Sequence, residues 1–331
     1  MRQLSMSLNK SKIPNGLAYL KPLHVLGFIF GLSPIHSVDC NVLLSKLHKC
    51  YCIFIIFVET SCMAVSFTGR LENLYNHLVP IVALMDGIAT FMVTLSNVIF
   101  IYRACVAYPQ KFARLLLILL SSDRKLVEPI RNQRSKTYKF IFEIVFGHVY
   151  IISYFTYDFY FWINTIGISL YSTYFIRSLQ DYLGFLIVLL LRHYALPLKY
   201  RFEVLNRHLK NNVIVVTIDK RNRKGAKTEL ETTSKIYTML CRQVDIFNEV
   251  FGYAILLLTL NYMCQLLNSF AICIVYFFDK NDTMNGRSLP DTLFVLCFLW
   301  IIKDFVSSFL FFEGLLFDVF ADVASPHYVR L

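Results

Sequence analysis

Six apolar runs punctuate the chain, at 50–69, 79–102, 138–157, 163–191, 248–278 and 291–317. Each is as long as the ~20 residues a helix needs to cross the ~30 Å hydrocarbon core of a bilayer. A helix satisfies its own backbone polar groups in lipid, so the pattern predicts an all-α, polytopic membrane bundle with six spans. The connections between runs alternate in charge. Arg2, Lys10, Lys12, Lys21, Lys46 and Lys49 precede the first run. Basic residues recur from Arg103 to Lys136 between the second and third runs, and from Arg192 to Arg242 between the fourth and fifth. The remaining connections hold Arg70, then none, then Lys280 and Arg287. Lys and Arg are retained on the cytoplasmic side, so the N-terminus is predicted to be cytoplasmic.

Residues 1–49 therefore read as a cytoplasmic segment, 50–317 as the bundle and 318–331 as a short tail. Within the first segment, Leu23–Leu32 is apolar but short and bounded by Pro22 and Pro34. It lacks a small-residue cleavage site and is predicted to be an uncleaved interfacial or re-entrant helix. The patch Leu115–Leu120 is too short to span. In the long connection 192–247, apolar Leu230, Ile236, Tyr237, Leu240, Val244 and Phe247 recur at helical spacing. The fourth, fifth and sixth helices are thus expected to extend below the membrane and pack on one another, with Lys220–Lys227 as a basic turn.

Composition agrees with the pattern: 56% of residues are hydrophobic and 16% aromatic, more than a soluble domain needs. The net charge of +11 sits in loops beside spans, where anionic lipid is its partner, and argues for no nucleic-acid target. The nine cysteines include no C-x-x-C pair, so neither a metal site nor a redox motif is predicted, and packed thiols are expected. Cys50 and Cys52, at the inner end of the first run, are alternatives for lipidation. No nucleophile elbow, metalloprotease helix or phosphate loop occurs, so the chain is not expected to be an enzyme or to need a cofactor. Asn281-Asp282-Thr283 is a sequon in a connection predicted to lie outside, which makes Asn281 a candidate glycosylation site.

Polar groups inside the runs carry the functional signal, because an ionisable residue in lipid needs a partner or water. Arg177 and Asp181 lie four apart and can pair along one face. Lys303 and Asp304 are adjacent, ~100° apart around a helix, and need partners elsewhere. Asn261, Gln265 and Asn268 form a polar stripe that either bonds another helix or lines a hydrated path. Glu143 and His148 are isolated polar groups in the third run. Aromatic side chains crowd the outer ends of the third and fourth runs beyond what an interfacial belt requires, as aromatic walls around a small amphipathic ligand do. Asp86, Tyr154, Tyr157, Tyr174, Phe175 and Trp300 are the candidate walls.

Two stretches resemble the insect gustatory receptors, a branch of the insect chemoreceptor superfamily. One is Leu20-Lys-Pro-Leu-His-Val-Leu26-Gly27 followed by Gly31-Leu32-Ser33-Pro34-Ile35. The other leads into the fifth run: Tyr237, Leu240, Val244, Asn248, Phe251, Gly252 and Leu256 at fixed spacing. The resemblance implies seven spans, a cytoplasmic N-terminus, and a plasma-membrane receptor of sensory neurons. It also implies small-molecule tastants, homo- or hetero-tetramers with other gustatory receptors, and a ligand-gated, nonselective cation channel. The family's Thr-Tyr and Gln-Phe signature in its seventh helix has no counterpart before Leu331. The tail therefore reads as truncated or atypical, and the family's pore residues transfer to no position here. A secondary transporter, favoured by Lys303, Asp304 and the Asn261 stripe, and a non-conducting subunit are the alternative readings.

Overall fold

A computed structural model describes residues 21–34, 46–73, 80–125, 133–218, 223–278 and 301–302. Those residues are helical apart from short turns, as the apolar runs require. Helix α1 spans Lys21–Ile29, with Pro22 in its first turn, where a missing N–H costs nothing. It ends at Gly31, whose φ of 69° lets Leu32 and Ser33 donate their N–H groups back to the Gly27 carbonyl. Helix α2 covers Lys46–Asn73 and α3 covers Pro80–Ile101, continued by a π turn over Tyr102–Ala107. Helix α4 spans Pro109–Lys125, α5 Gln133–Ile166, α6 Ile168–Ile218 and α7 Arg223–Phe278.

The first, second, fourth and fifth predicted runs overlap four helices long and apolar enough to cross a membrane, although the fourth run, 163–191, is broken at Gly167, where α5 ends and α6 begins at positive φ. Helix α5, which contains the third run, has 34 residues, and the side chains of 133–140, where that run begins, lie outside the described ones. The sixth run apart from 301–302, the tail, Asn281, Trp300, Lys303 and Asp304 lie outside the described residues.

Helices α6 and α7 have 51 and 56 residues, lengths of roughly 75–85 Å and well beyond a bilayer core. Their expected extensions pack on each other through Leu198, Phe202 and Leu205 against Ile236 and Leu240. The basic turn is narrower than the sequence suggested. α7 already begins at Arg223, because Arg, Lys and Ala are strong helix formers and the single glycine at 225 does not outweigh them.

The main core gathers α3, α4, α6 and α7 around Phe251, with α3 and α7 making the most extensive helix pair. Phe251 is fully buried and stacks on Phe100 at 5.4 Å and on Tyr194 at 6.2 Å. It also meets Phe112 edge-on at 5.6 Å. The patch Leu115–Leu120 belongs to amphipathic α4, whose Phe112, Leu115 and Leu116 turn into this core. Helix α1 lies against the same core through Leu23, Leu32 and the buried His24 beside Tyr194. On the opposite surface of α7, Tyr253, Leu256, Leu260, Met263, Leu267, Phe270 and Ile274 form an exposed apolar stripe. A surface of that kind suits lipid rather than water.

Candidate functional site

Helices α2 and α3 run antiparallel, so the last turn of α2 meets the first turns of α3 at the end of the bundle away from α1. There Arg70 Nη1 lies 2.8 Å from Asp86 Oδ2. The Arg70 side chain has 0% exposure, and a buried guanidinium is tolerated only when paired and hydrogen-bonded. Arg70 also donates to Thr90 Oγ1 at 3.1 Å and to the Ser66 carbonyl at 3.4 Å. Its guanidinium carbon lies 5.4 Å from the Tyr174 ring centroid, a cation–π contact to α6.

Thr90 passes the network on. Its hydroxyl donates to the Asp86 carbonyl at 2.8 Å and accepts from Arg177 Nη1 at 2.6 Å. Arg177 Nε pairs with Asp181 Oδ1 at 3.2 Å, the i to i+4 arrangement read from their spacing. Asp181 in turn accepts from Gln265 Nε2 on α7 at 3.1 Å, and Gln265 lies 3.4 Å from Asn261 Oδ1. Two guanidinium groups and two carboxylates thus alternate along a path from α2 through α3 and α6 to α7. A deeper rung ties α2, α3 and α6: Gln180 Nε2 donates to Thr94 Oγ1 at 2.9 Å. Asn97 Nδ2 donates to Glu59 Oε1 at 2.9 Å and to the Gln180 carbonyl at 3.1 Å.

Beside Asp181 and Gln265 lies a cavity of about 20 Å³, walled by Val93, Ile151, Phe185 and Tyr262. That is room for about one water.

The structure brings some of the expected residues together and leaves others apart. Asp86, Arg177, Asp181, Asn261 and Gln265 belong to the network, and Tyr174 touches it through Arg70 while stacking on Trp162 at 6.1 Å. Tyr154 and Tyr157 are half-buried on α5, and Phe175 is 57% exposed on the bundle surface. Asn268, three residues beyond Gln265 on α7, has a buried Oδ1 that makes no hydrogen bond. Glu143 is 3.7 Å from Arg192, and His148 Nδ1 is 2.8 Å from the Ile144 carbonyl, so both have local partners.

Sequence reasoning missed Arg70, which it read as a loop residue, together with Thr90, Glu59, Asn97 and Gln180. A usable signal existed for the first: a lone cation at the end of one run and a lone carboxylate near the start of the next.

Within the motif leading into the fifth run, Leu240 and Phe251 are fully buried, and Tyr237 meets Phe202 edge-on at 6.0 Å. Val244 packs against the lower α6–α7 cluster, Asn248 is exposed, and space is open around Gly252. Near the other end of the bundle, His48, Cys52 and Cys105 bring metal-ligating atoms within 4.8 Å of one another. Among the described residues the cysteines are free thiols: Cys50 is exposed and open to lipidation, and Cys52 is buried.

A family model described as a 7tm chemosensory receptor matches residues 20–314. No curated protein matches the chain.

Proposed function

The chain belongs to the 7tm chemosensory receptor family, and on that premise we propose that it is a gustatory receptor acting as, or within, a ligand-gated cation channel. The receptor sits in the plasma membrane of sensory neurons with its N-terminus in the cytosol, and assembles as a tetramer with itself or with related chains. The observation that carries the site assignment is the polar path Arg70–Asp86–Thr90–Arg177–Asp181–Gln265, shared by four helices, with a small cavity beside its α7 end.

Such a path is a natural switch. In low dielectric its hydrogen bonds hold the helices together, yet each can be replaced by a ligand bearing hydroxyl or charged groups. A tastant that wedges between α6 and α7 and exchanges its own polar atoms for the Gln265–Asp181 bond binds the open arrangement more tightly than the closed one. Only that difference in affinity shifts the population. Asp86 on α3 and Tyr174 on α6, which meet Arg70 of α2, are proposed as the far end of the binding site, with Tyr154, Tyr157, Phe175 and Trp300 as proposed outer aromatic walls. Asn268, Lys303 and Asp304 are further polar candidates along the route of the gate, and Asn281 is the proposed glycosylation site.

The reading is tested by recording from cells that express the chain while sugars, bitter compounds, amino acids and carbon dioxide are applied. A ligand-evoked current that reverses with whichever cation gradient is imposed supports the channel. Uptake coupled to one ion, without such a current, supports instead the secondary-transporter reading suggested by the Asn261–Gln265–Asp181 cluster. Current that requires a co-expressed relative identifies a non-conducting subunit.

A further inference from the structure

The turn after α1 meets the start of α2 and the end of α3 at a point where three ligand-type side chains converge. His48 and Cys52 sit four residues apart, one helical turn, on the same face of α2. Cys105 comes from the π turn Tyr102–Ala107, a departure from α-helix that frequently marks functional sites. All three side chains are buried. Cys52 Sγ lies 3.4 Å from His48 Nε2. The Gly31 carbonyl oxygen is 3.0 Å from Cys105 Sγ and 3.7 Å from Cys52 Sγ.

Those separations have a simple geometric meaning. Tetrahedral zinc, with bonds of ~2.0 Å to nitrogen or oxygen and ~2.3 Å to sulfur, sets its ligand atoms ~3.3–3.8 Å apart. Cys52 Sγ stands at such edge lengths from His48 Nε2 and from the Gly31 oxygen, Cys105 Sγ is slightly closer to that oxygen, and the three side-chain donors lie within 4.8 Å of one another. We propose that His48 Nε2, Cys52 Sγ, Cys105 Sγ and the Gly31 carbonyl bind a zinc ion that clips the N-terminal segment to α2 and α3.

The chemistry suits the place. On binding, each cysteine thiol releases its proton to solvent and becomes a thiolate, so the dication and two thiolates sum to zero charge. A neutral cluster avoids the cost that an isolated ion meets in a buried site. The supporting shell is also in place. The His48 ring stacks on Phe28 at 4.6 Å with an interplanar angle of 8°, which fixes the direction of Nε2. Gly31 at φ 69° turns its carbonyl toward both sulfurs, and a Cβ there would come within 2.9 Å of Ile55 Cδ1. His48 belongs to the first turn of α2, beside the exposed Lys46 and Leu47.

The test is made on the full chain purified in detergent. After equilibration with zinc chloride and removal of unbound metal, elemental analysis is expected to find a stoichiometric zinc ion. Cys52→Ser/Cys105→Ser and His48→Ala should lose it, while Cys264→Ser, altered outside the cluster, should keep it. In the wild-type chain, cobalt chloride should give the near-ultraviolet thiolate-to-cobalt band and the visible absorption of a tetrahedral ion, so the result does not depend on a variant folding. Absence of that band, or zinc content unchanged in the double cysteine variant, overturns the proposal. So does an intact mass showing that Cys52 and Cys105 have lost two hydrogens to form a disulfide in the purified chain.

Discussion

Arg70 at the end of α2 and Asp86 near the start of α3 are joined at 2.8 Å, with the guanidinium wholly removed from solvent. The bond crosses between two spans and pins the end of the bundle at which the polar path to α7 begins. Its stability contribution has a characteristic asymmetry. Asp86→Asn leaves a buried cation with no counter-charge and should destabilise the fold by about 3–5 kcal/mol. Arg70→Leu/Asp86→Leu removes both charges and should recover most of that loss. Thermal unfolding of the detergent-purified variants distinguishes them, and a double variant no more stable than Asp86→Asn would deny the buried pair.

Phe251 is the hub of the aromatic core, in contact with Phe100, Phe112, Tyr194 and Phe247 from three other helices and its own. Phe251→Ala should cost about 3–5 kcal/mol through lost burial and the cavity left behind. Phe251→Leu, which refills much of that volume, should cost less. Melting temperatures of the two variants check the order.

The two described glycines at positive φ should respond differently to alanine. At Gly31 a Cβ meets Ile55 Cδ1 at 2.9 Å as well as adopting φ 69°, whereas at Gly167, with φ 84°, nothing lies within 4 Å. Gly167→Ala should therefore cost only the left-handed strain, roughly 1–2 kcal/mol. Gly31→Ala should cost more and free the N-terminal segment. Limited proteolysis ahead of α2 reports the difference.

His24 is buried against Tyr194 and Ser33, and that burial lowers its pKa from 6.5 to about 4. The folded chain binds this proton less readily than the unfolded chain does. Stability is therefore fully present above pH 6.5 and is lost as pH falls toward 4, by roughly 3 kcal/mol in all. Docking of α1 should loosen over that range. Protease sensitivity of the N-terminal segment should rise on acidification in the wild type and be independent of this step in His24→Phe.

Much of the bundle was legible because lipid leaves few alternatives. Long apolar runs must be helical, and apolar periodicity at Ile236, Leu240 and Val244 marked the packing of the α7 extension on α6. The Arg177–Asp181 pair was legible for the same local reason, four-residue spacing on one helix. The partners that make the site were not, because they lie far apart in sequence. Thr90 meets Arg177 across 87 residues, Gln265 meets Asp181 across 84, and nothing in either stretch encodes the register that joins them. Thr90, Thr94 and Ser96 read as ordinary weakly polar residues until neighbouring helices are in place. The same holds for His48, Cys52 and Cys105, whose spacing matches no short metal motif and whose convergence depends on the π turn after α3.

The most direct measurement is the ligand dose–response of currents from Gln265→Leu and Asp181→Asn, normalised to surface expression, with Asn248→Ala as an exposed control elsewhere on α7. If ligand exchanges its polar atoms for the Gln265–Asp181 bond, each site variant should shift the half-maximal concentration by about tenfold, the ~1.4 kcal/mol expected of one hydrogen bond. Asn248→Ala should leave it in place. Identical curves for all three variants and the wild type would contradict the assignment of ligand recognition to the α6–α7 polar path.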